Sequence, residues 1–323
     1  MKIVIPEFVL GVLASPTCDV VQGRETFEAC DLVVIDNEGH LDGGIADTEV
    51  VMLPWALPEA TVARILQVPT LRWVQTVTAG IDHVLRALPA DHDLVITNAS
   101  GVFDVPIAEM VLTYILATAK RLPEFLAQQR AKRWQLLRLR EVADLTVGVV
   151  GLGSIGSEIA ARCQGLGMRV IATRRHPERG APHVDEVLGA DQLPDLLAAA
   201  DYVVVAAPLT EETRGLIGAA ALRRMRSDAW LINIARGAIV DEAALIAALQ
   251  EGSIAGAALD VFAEEPLPTS SPLWDLPNVI VTPHNSWSTP QLKAREAELF
   301  LENLARYVHG QPLRNVVDSS RGY

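Results

Sequence analysis

Short apolar runs punctuate the first hundred residues, at Lys2 to Ile5, Leu32 to Ile35, Val50 to Leu53, Leu71 to Val77 and Leu94 to Thr97, with turns or helical stretches between them. That alternation predicts an α/β unit built on a parallel sheet. From Pro106 through the charged segment Gln128 to Glu141 the pattern is mostly helical and offers no strand candidate before Thr146, as a connector between two units would. From Thr146 the runs TVGVVG, RVIAT, YVVVAA, AWLINI, AGAALD and NVIVTP follow, most of them separated by helical stretches. They are apolar nearly throughout, which a sheet covered on both faces requires, so the second unit reads as doubly wound. A last helix over Gln291 to His309 stops at Gly310 and Pro312, residue types that end helices. Because it follows the second unit's final strand, it is expected to return to the first. The division expected is therefore 1–99 with 288–323 as one domain and 100–287 as the other.

The 323 residues are half hydrophobic, enough for a sizeable core in each of two domains. A net charge of -13, with lysines and arginines scattered through helical stretches, leaves no basic face to neutralise a phosphate backbone and argues against nucleic acid as a ligand. The longest apolar helix candidate, Ile107 to Ala119, is too short to span a bilayer and carries Glu109, so no membrane partner is expected. The start MKIVIPEF lacks a basic segment followed by a long apolar one, and Cys18, Cys30 and Cys163 have neither disulfide nor metal-ligand spacing. The expectation is a cytoplasmic protein with no metal centre.

Candidate chemistry begins at Gly151-Leu-Gly153-Ser154-Ile155-Gly156, which directly follows the strand TVGVV and opens a helix. In that context Gly151 permits a tight turn, Gly153 lets the backbone approach a pyrophosphate, and Gly156 lets the helix close on the strand. Ser154 and Ile155 lie at the helix N-terminus, whose N–H groups face the phosphates. An NAD-binding domain usually carries an acid at the end of its second strand, but here RVIAT ends in Arg174-Arg175-His176. Guanidinium groups pair with a 2′-phosphate, so NADP(H) is the preferred cofactor and NAD(H) the second option. The alternative is a solvated basic turn with no bearing on the cofactor.

Ligands of an open α/β sheet bind beyond the carboxyl ends of its strands, where Pro208, Arg236, Asp260 and His284 stand. Arg236 is a permanent planar cation suited to a carboxylate and a neighbouring carbonyl. His284 can give or take the proton of a hydroxyl formed or consumed there. An acid is needed to orient the imidazole, and spacing does not choose between Glu264 and Glu265. His40, His83, His92, His176, His183 and His309 fit solvated or capping roles better. Trp55, Trp134 and Trp287 are open to two readings, pocket wall or core filling.

Seven segments together resemble the D-isomer-specific 2-hydroxyacid dehydrogenase family: Thr78-Ala-Gly-Ile-Asp82, Gly101-Val-Phe-Asp-Val-Pro-Ile-Ala-Glu109, TVGVVGLGSIG, PLTEETRGLI, NIARGAIVDEAAL, ALDVFAEEPLP and TPHNSWST. The resemblance implies a Rossmann-type coenzyme domain beside a flavodoxin-like substrate domain, and reduction of a small 2-oxo acid, or oxidation of the 2-hydroxy acid. It implies the catalytic set Arg236, Glu265 and His284, with Arg236 and His284 also binding substrate. It further implies that Ala79 and Gly80 offer backbone N–H groups to the substrate carboxylate, that Thr213 and Ala235 lie in the cofactor site, and that Asp260 lies near the nicotinamide amide. A homodimer through the coenzyme domain and its preceding helical arm would be expected. Two departures stand out: Arg174 occupies the place of the acid, and Trp287 stands where relatives often have a small residue. A donor such as phosphite, a bulkier 2-oxo acid, or a dinucleotide-sensing interaction role are the alternatives.

Overall fold

The computed structural model describes residues 1–15, 22–55, 57–88 and 92–318; Cys18 and the side chain of His83 lie outside the described residues. The chain divides into two compact units, Met1–Phe103 with Thr289–Tyr323, and Asp104–Ser288. The first junction falls after Phe103 rather than after residue 99. The Ser100 carbonyl accepts from Asn315 Nδ2 (2.7 Å) and the Val102 carbonyl from Arg295 Nη1 (3.4 Å), which ties this stretch to the late part of the chain.

The first unit opens with β1 (Lys2–Pro6), α1 (Glu7–Ala14), α2 (Arg24–Glu28), β2 (Asp31–Ile35), β3 (Thr48–Leu53), α3 (Glu59–Leu66), β4 (Trp73–Thr76), α4 (Asp82–Ala87) and β5 (Val95–Thr97). Its strands pair in parallel in the order β2-β1-β3-β4-β5, the flavodoxin-like arrangement. Successive strand side chains face opposite ways, and both faces are buried here. Ile3, Ile5, Val50 and Met52 enter one core, and Val4, Val51, Leu53 and Val74 the other. That two-sided burial is why these strands read as continuous apolar runs.

The second unit contains α5 (Asp104–Ala119), α6 (Leu122–Arg130), β6 (Thr146–Val150), α7 (Ser154–Gly165), β7 (Arg169–Thr173), β8 (Glu186–Leu188), α8 (Leu193–Ala199), β9 (Tyr202–Val205), α9 (Ala219–Leu222), β10 (Trp230–Asn233), α10 (Glu242–Glu251), β11 (Gly256–Leu259) and β12 (Val279–Val281). Its seven strands run parallel in the order β12-β11-β10-β9-β6-β7-β8, a Rossmann-type sheet. The winding reverses between β6 and β9, so the ligand crevice is expected beyond their carboxyl ends.

Two details differ from the sequence reading. The edge strand β8 went unseen because its three residues, of which only Leu188 is buried, carry too little pattern. The helix expected to continue to Glu141 stops at Arg130. No residue of α6 is buried, Lys132 takes a left-handed φ of 51°, and Trp134 is 98% exposed. Without an apolar face to bury, little favours further helix, since most helical stability in proteins comes from tertiary packing.

The closing helix, α11 (Leu292–Val308), belongs to the first unit. Phe300 and Tyr307 each stack on Trp73 with ring centroids 5.5 Å apart, and Leu301 and Leu304 join the same core. Each such fully buried apolar side chain contributes on the order of 2 kcal/mol. Asn303 adds a buried hydrogen bond from Nδ2 to Gln75 Oε1 (3.2 Å), on the strand that carries the loop to Ala79 and Gly80. No described helix is long and apolar enough to cross a membrane.

Candidate active site

The glycine turn leaves β6 at the point where the winding reverses. Gly151 has φ +98°, and a Cβ there would stand 2.6 Å from the Ala207 Cα beyond β9. Its N–H donates to the Thr173 carbonyl at the end of β7 (3.2 Å). A Cβ on Gly156 would stand 2.2 Å from the Gly151 carbonyl oxygen, so α7 closes on the turn only because that residue is glycine. Gly153 differs, since its Cβ would meet nothing within 4 Å. Open space therefore lies at the start of α7, where Ser154, Ile155 and Gly156 form the first turn and their N–H groups have no intrahelical carbonyl behind them. An open cradle at a helix N-terminus fits the pyrophosphate of a dinucleotide.

Beyond β7, Arg174 Nη1 donates to the Gly180 carbonyl (2.8 Å), while Arg175 Nη2 lies 3.3 Å from Glu212 Oε2 at the surface. A guanidinium has five N–H donors, more than the Arg174 contact with the Gly180 carbonyl uses. After β9, Thr213 Oγ1 donates to the Pro208 carbonyl (2.6 Å) and accepts from the Thr210 N–H (2.8 Å), which closes that loop on itself. Ala235 is held at both ends: its N–H meets Asn233 Oδ1 (3.1 Å) and its carbonyl accepts from Arg236 Nη1 (2.8 Å).

The candidate residues Arg236, Glu265 and His284 stand on three loops, after β10, β11 and β12. Gly237 lets the loop after β10 touch the one after β11, since a Cβ there would overlap the Phe262 carbonyl at 2.0 Å. Glu265 accepts from the Phe262 N–H at Oε1 (2.9 Å) and meets His284 Nδ1 at Oε2 (2.7 Å). A carboxylate only accepts, so Nδ1 carries the proton and Nε2 remains as the ring atom for exchange. Burial pushes the Glu265 carboxyl upward, but hydrogen bonds from His284 and the Phe262 N–H, with the charges of His284 and Arg236, outweigh it and hold the group below its ordinary value. Arg236 precedes the Gly237 that packs on Phe262, and its charge is one of those acting on Glu265. The choice left open by spacing thus falls on Glu265 as the partner of His284.

Residues 112–286 match the family model described as D-isomer specific 2-hydroxyacid dehydrogenase, NAD binding domain. The chain belongs to the D-isomer-specific 2-hydroxyacid dehydrogenase family. The glyoxylate reductase of Aeropyrum pernix is 38% identical over 263 residues, 78% of each chain. Glyoxylate/hydroxypyruvate reductase B of Serratia proteamaculans is 35% identical over 301 residues, 91% of each. Among solved structures, a D-isomer specific 2-hydroxyacid dehydrogenase from Xanthobacter autotrophicus Py2, in complex with NADPH and MES, aligns with a TM-score of 0.84 at 34% identity, covering 100% of this chain and 99% of that one. The NADPH-dependent glyoxylate/hydroxypyruvate reductase of Sinorhizobium meliloti, in complex with NADP and sulfate, aligns at 0.85 with 29% identity and the same coverage.

His284 has φ +50°, a conformation uncommon outside glycine. Its N–H donates to the Thr282 carbonyl (3.0 Å), and its own carbonyl accepts from Trp287 Nε1 (2.7 Å). Trp287, read from the sequence as pocket wall or core, therefore braces the back of the histidine. Asp260 is fully buried, and its two oxygens accept from the Asn285 and Ser286 N–H groups (both 3.0 Å) and from Thr282 Oγ1 (2.5 Å). These bonds shape the His284 turn, a use of Asp260 that the sequence did not suggest. Nor did it single out Thr282 or Tyr114, whose contacts span stretches of chain that no local motif links.

In the first unit, Ala79 and Gly80 follow β4. Their carbonyls accept from Asn98 Nδ2 (3.0 Å) and Thr78 Oγ1 (2.7 Å), and their N–H groups have no acceptor among the described residues. Trp55 and Trp134 are 53% and 98% exposed, so neither fills a core; the core tryptophan of the first unit is Trp73.

Proposed function

We propose that this protein reduces the 2-carbonyl of a small 2-oxo acid, of glyoxylate or hydroxypyruvate size, to the D-2-hydroxy acid, with NADPH preferred over NADH. The observation that carries the reading is the cluster of Arg236, Glu265 and His284, with the imidazole proton on Nδ1 directed to Glu265. Bound NADPH supplies the hydride. Arg236 holds the acid's carboxylate and draws electron density from its carbonyl, while His284 delivers a proton from Nε2 to the oxygen as the alcohol forms. Glu265 keeps the ring aligned through Nδ1. The Ala79 and Gly80 N–H groups are assigned to substrate binding, Gly153 to Gly156 to the pyrophosphate, and Asp260 to the nicotinamide amide.

NADPH preference is supported by Arg174 and Arg175 beyond β7, and by the NADPH and NADP bound in the Xanthobacter and Sinorhizobium structures. The reading includes a homodimer through the second unit, supported by the exposed Leu122, Leu126, Trp134, Leu136 and Leu139 in and after α6. Initial rates with NADPH and NADH against 2-oxo acids, from glyoxylate to aromatic ones, test the proposal. Turnover of small acids, faster with NADPH, is expected. Replacing Arg174→Asp together with Arg175→Ala should weaken NADPH by about 1.5–3 kcal/mol per lost contact and leave NADH nearly unchanged. Equal loss for both cofactors would overturn the preference. NADPH binding without turnover of any acid would favour a sensing role or a different donor.

A further inference from the structure

The turn that carries His284 depends on a chain of hydroxyl groups reaching back to α5. Thr282 Oγ1 lies 2.5 Å from Asp260 Oδ1, and the Tyr114 hydroxyl lies 2.5 Å from Thr282 Oγ1. The Asp260 carboxylate accepts from the Asn285 and Ser286 N–H groups and from Thr282 Oγ1. The single Thr282 proton therefore goes to Asp260, and Tyr114 must donate to Thr282. Proton counting alone orders the chain as Tyr114 to Thr282 to Asp260. Donors aligned in this way polarise one another, so loss of one weakens the next.

Tyr114 is well placed to be the fixed end. It is 2% exposed within α5, and the adjoining Ile115 carbonyl accepts from Tyr202 OH on β9 (3.3 Å), which pins the helix to the sheet. Burial, with the nearby Asp260 charge and against the Thr282 hydrogen bond, leaves the Tyr114 phenol at about 12, so it remains a donor across the working range of pH. At the other end, Asp260 holds the two amides that follow a left-handed histidine. Such a backbone persists only where its surroundings over-determine it.

We infer that Tyr114, acting through Thr282 and Asp260, is a positioning residue for His284. It fixes the carboxylate that holds the Asn285 and Ser286 N–H groups, and so keeps the turn in the orientation where Nδ1 meets Glu265. The catalytic consequence rests on the reading of His284 as the proton-transfer group, but the structural relation does not.

The test uses the whole chain and the variants Tyr114→Phe, Thr282→Val and Thr282→Ser. Amide hydrogen exchange is followed without added cofactor, and kcat and KM are measured with NADPH and glyoxylate. Tyr114→Phe and Thr282→Val should speed exchange at Asn285 and Ser286 by about ten-fold or more, the worth of one hydrogen bond to a charged group, while β6 stays protected. Both should lower kcat by a similar factor and change the KM for NADPH less than kcat, because the glycine turn assigned to the pyrophosphate is untouched. Thr282→Ser keeps the hydroxyl and should restore wild-type exchange and kcat. The double variant Tyr114→Phe with Thr282→Val should be no worse than Thr282→Val alone, since both cut one chain. Unchanged exchange at Asn285 and Ser286, acceleration spread evenly through β6, or additive losses in the double variant would each overturn the inference. Exchange that responds as expected in a protein with no turnover of any 2-oxo acid would support the positioning relation and overturn the proposed activity.

Discussion

Two turns leave the carboxyl edge of the same sheet, and each contains a residue at positive φ: Gly151 at +98° after β6 and His284 at +50° after β12. The first turn handles its conformation by having no side chain. Gly151 and Gly156 let β6, β9 and α7 approach within distances that any Cβ would block, and Gly153 opens the cradle. The second turn carries a side chain there, the imidazole that meets Glu265 and to which the proposed reaction assigns proton transfer. Its backbone is held instead by Asp260, Thr282 and Trp287. Where function needs only backbone, local composition is enough, whereas a required side chain makes the turn depend on hydrogen bonds from distant parts of the chain.

The largest test of that contrast is His284→Ala. It should lower kcat by about 10²–10⁴-fold, the range for loss of a general acid, and leave NADPH affinity intact in a fluorescence titration. Loss of cofactor binding would show that the two turns are not separable. Next come the glycines. Gly151→Ala should cost about 1–3 kcal/mol in a denaturant titration, because the new methyl meets backbone atoms. Gly153→Ala should leave stability alone and weaken the dinucleotide. Equal destabilisation by both substitutions would contradict the division between a structural and a cradle glycine.

A smaller effect is expected from Trp287→Phe, which removes the N–H from the His284 carbonyl and should lower kcat by the equivalent of about 0.5–1.5 kcal/mol. A change in substrate range without change in kcat would return Trp287 to the role of pocket wall. Smallest is the pH dependence of stability from Glu265. Its carboxyl lies below the ordinary 4.5 in the folded chain, so its stabilisation is complete above that value and is lost as pH falls through the lower folded one. The group is partly exposed and screened, so the effect is modest. Glu265→Gln should flatten the acid limb of a Tm–pH curve, and an unaltered limb would show that the pair contributes nothing to stability.

Legibility in the sequence followed burial. Strands such as TVGVV and YVVV announce themselves because both of their faces are covered, which forces apolar residues at successive positions. The edge strand Glu186–Leu188 and the non-helical stretch after Arg130 have no such constraint and left no clear pattern. Arg236, Asp260 and His284 could be singled out as candidates because a parallel sheet presents its strand ends to ligands, and the structure places them just beyond β10, β11 and β12. Tyr114 could not, because its partner Thr282 lies 168 positions away.

The sequence by itself determined the two α/β units, the dinucleotide turn and the residues at the strand ends, because periodicity, glycine spacing and strand order are local or follow from local patterns. The tertiary structure decided what spacing had left open, that Glu265, the residue the resemblance implied, meets the imidazole, and it alone showed that Asp260 is occupied in shaping a turn, that Trp287 holds the His284 carbonyl and that Tyr114 reaches Thr282. Those choices depend on hydrogen-bond distances of about 3 Å between residues brought together by folding, which no one-dimensional spacing encodes.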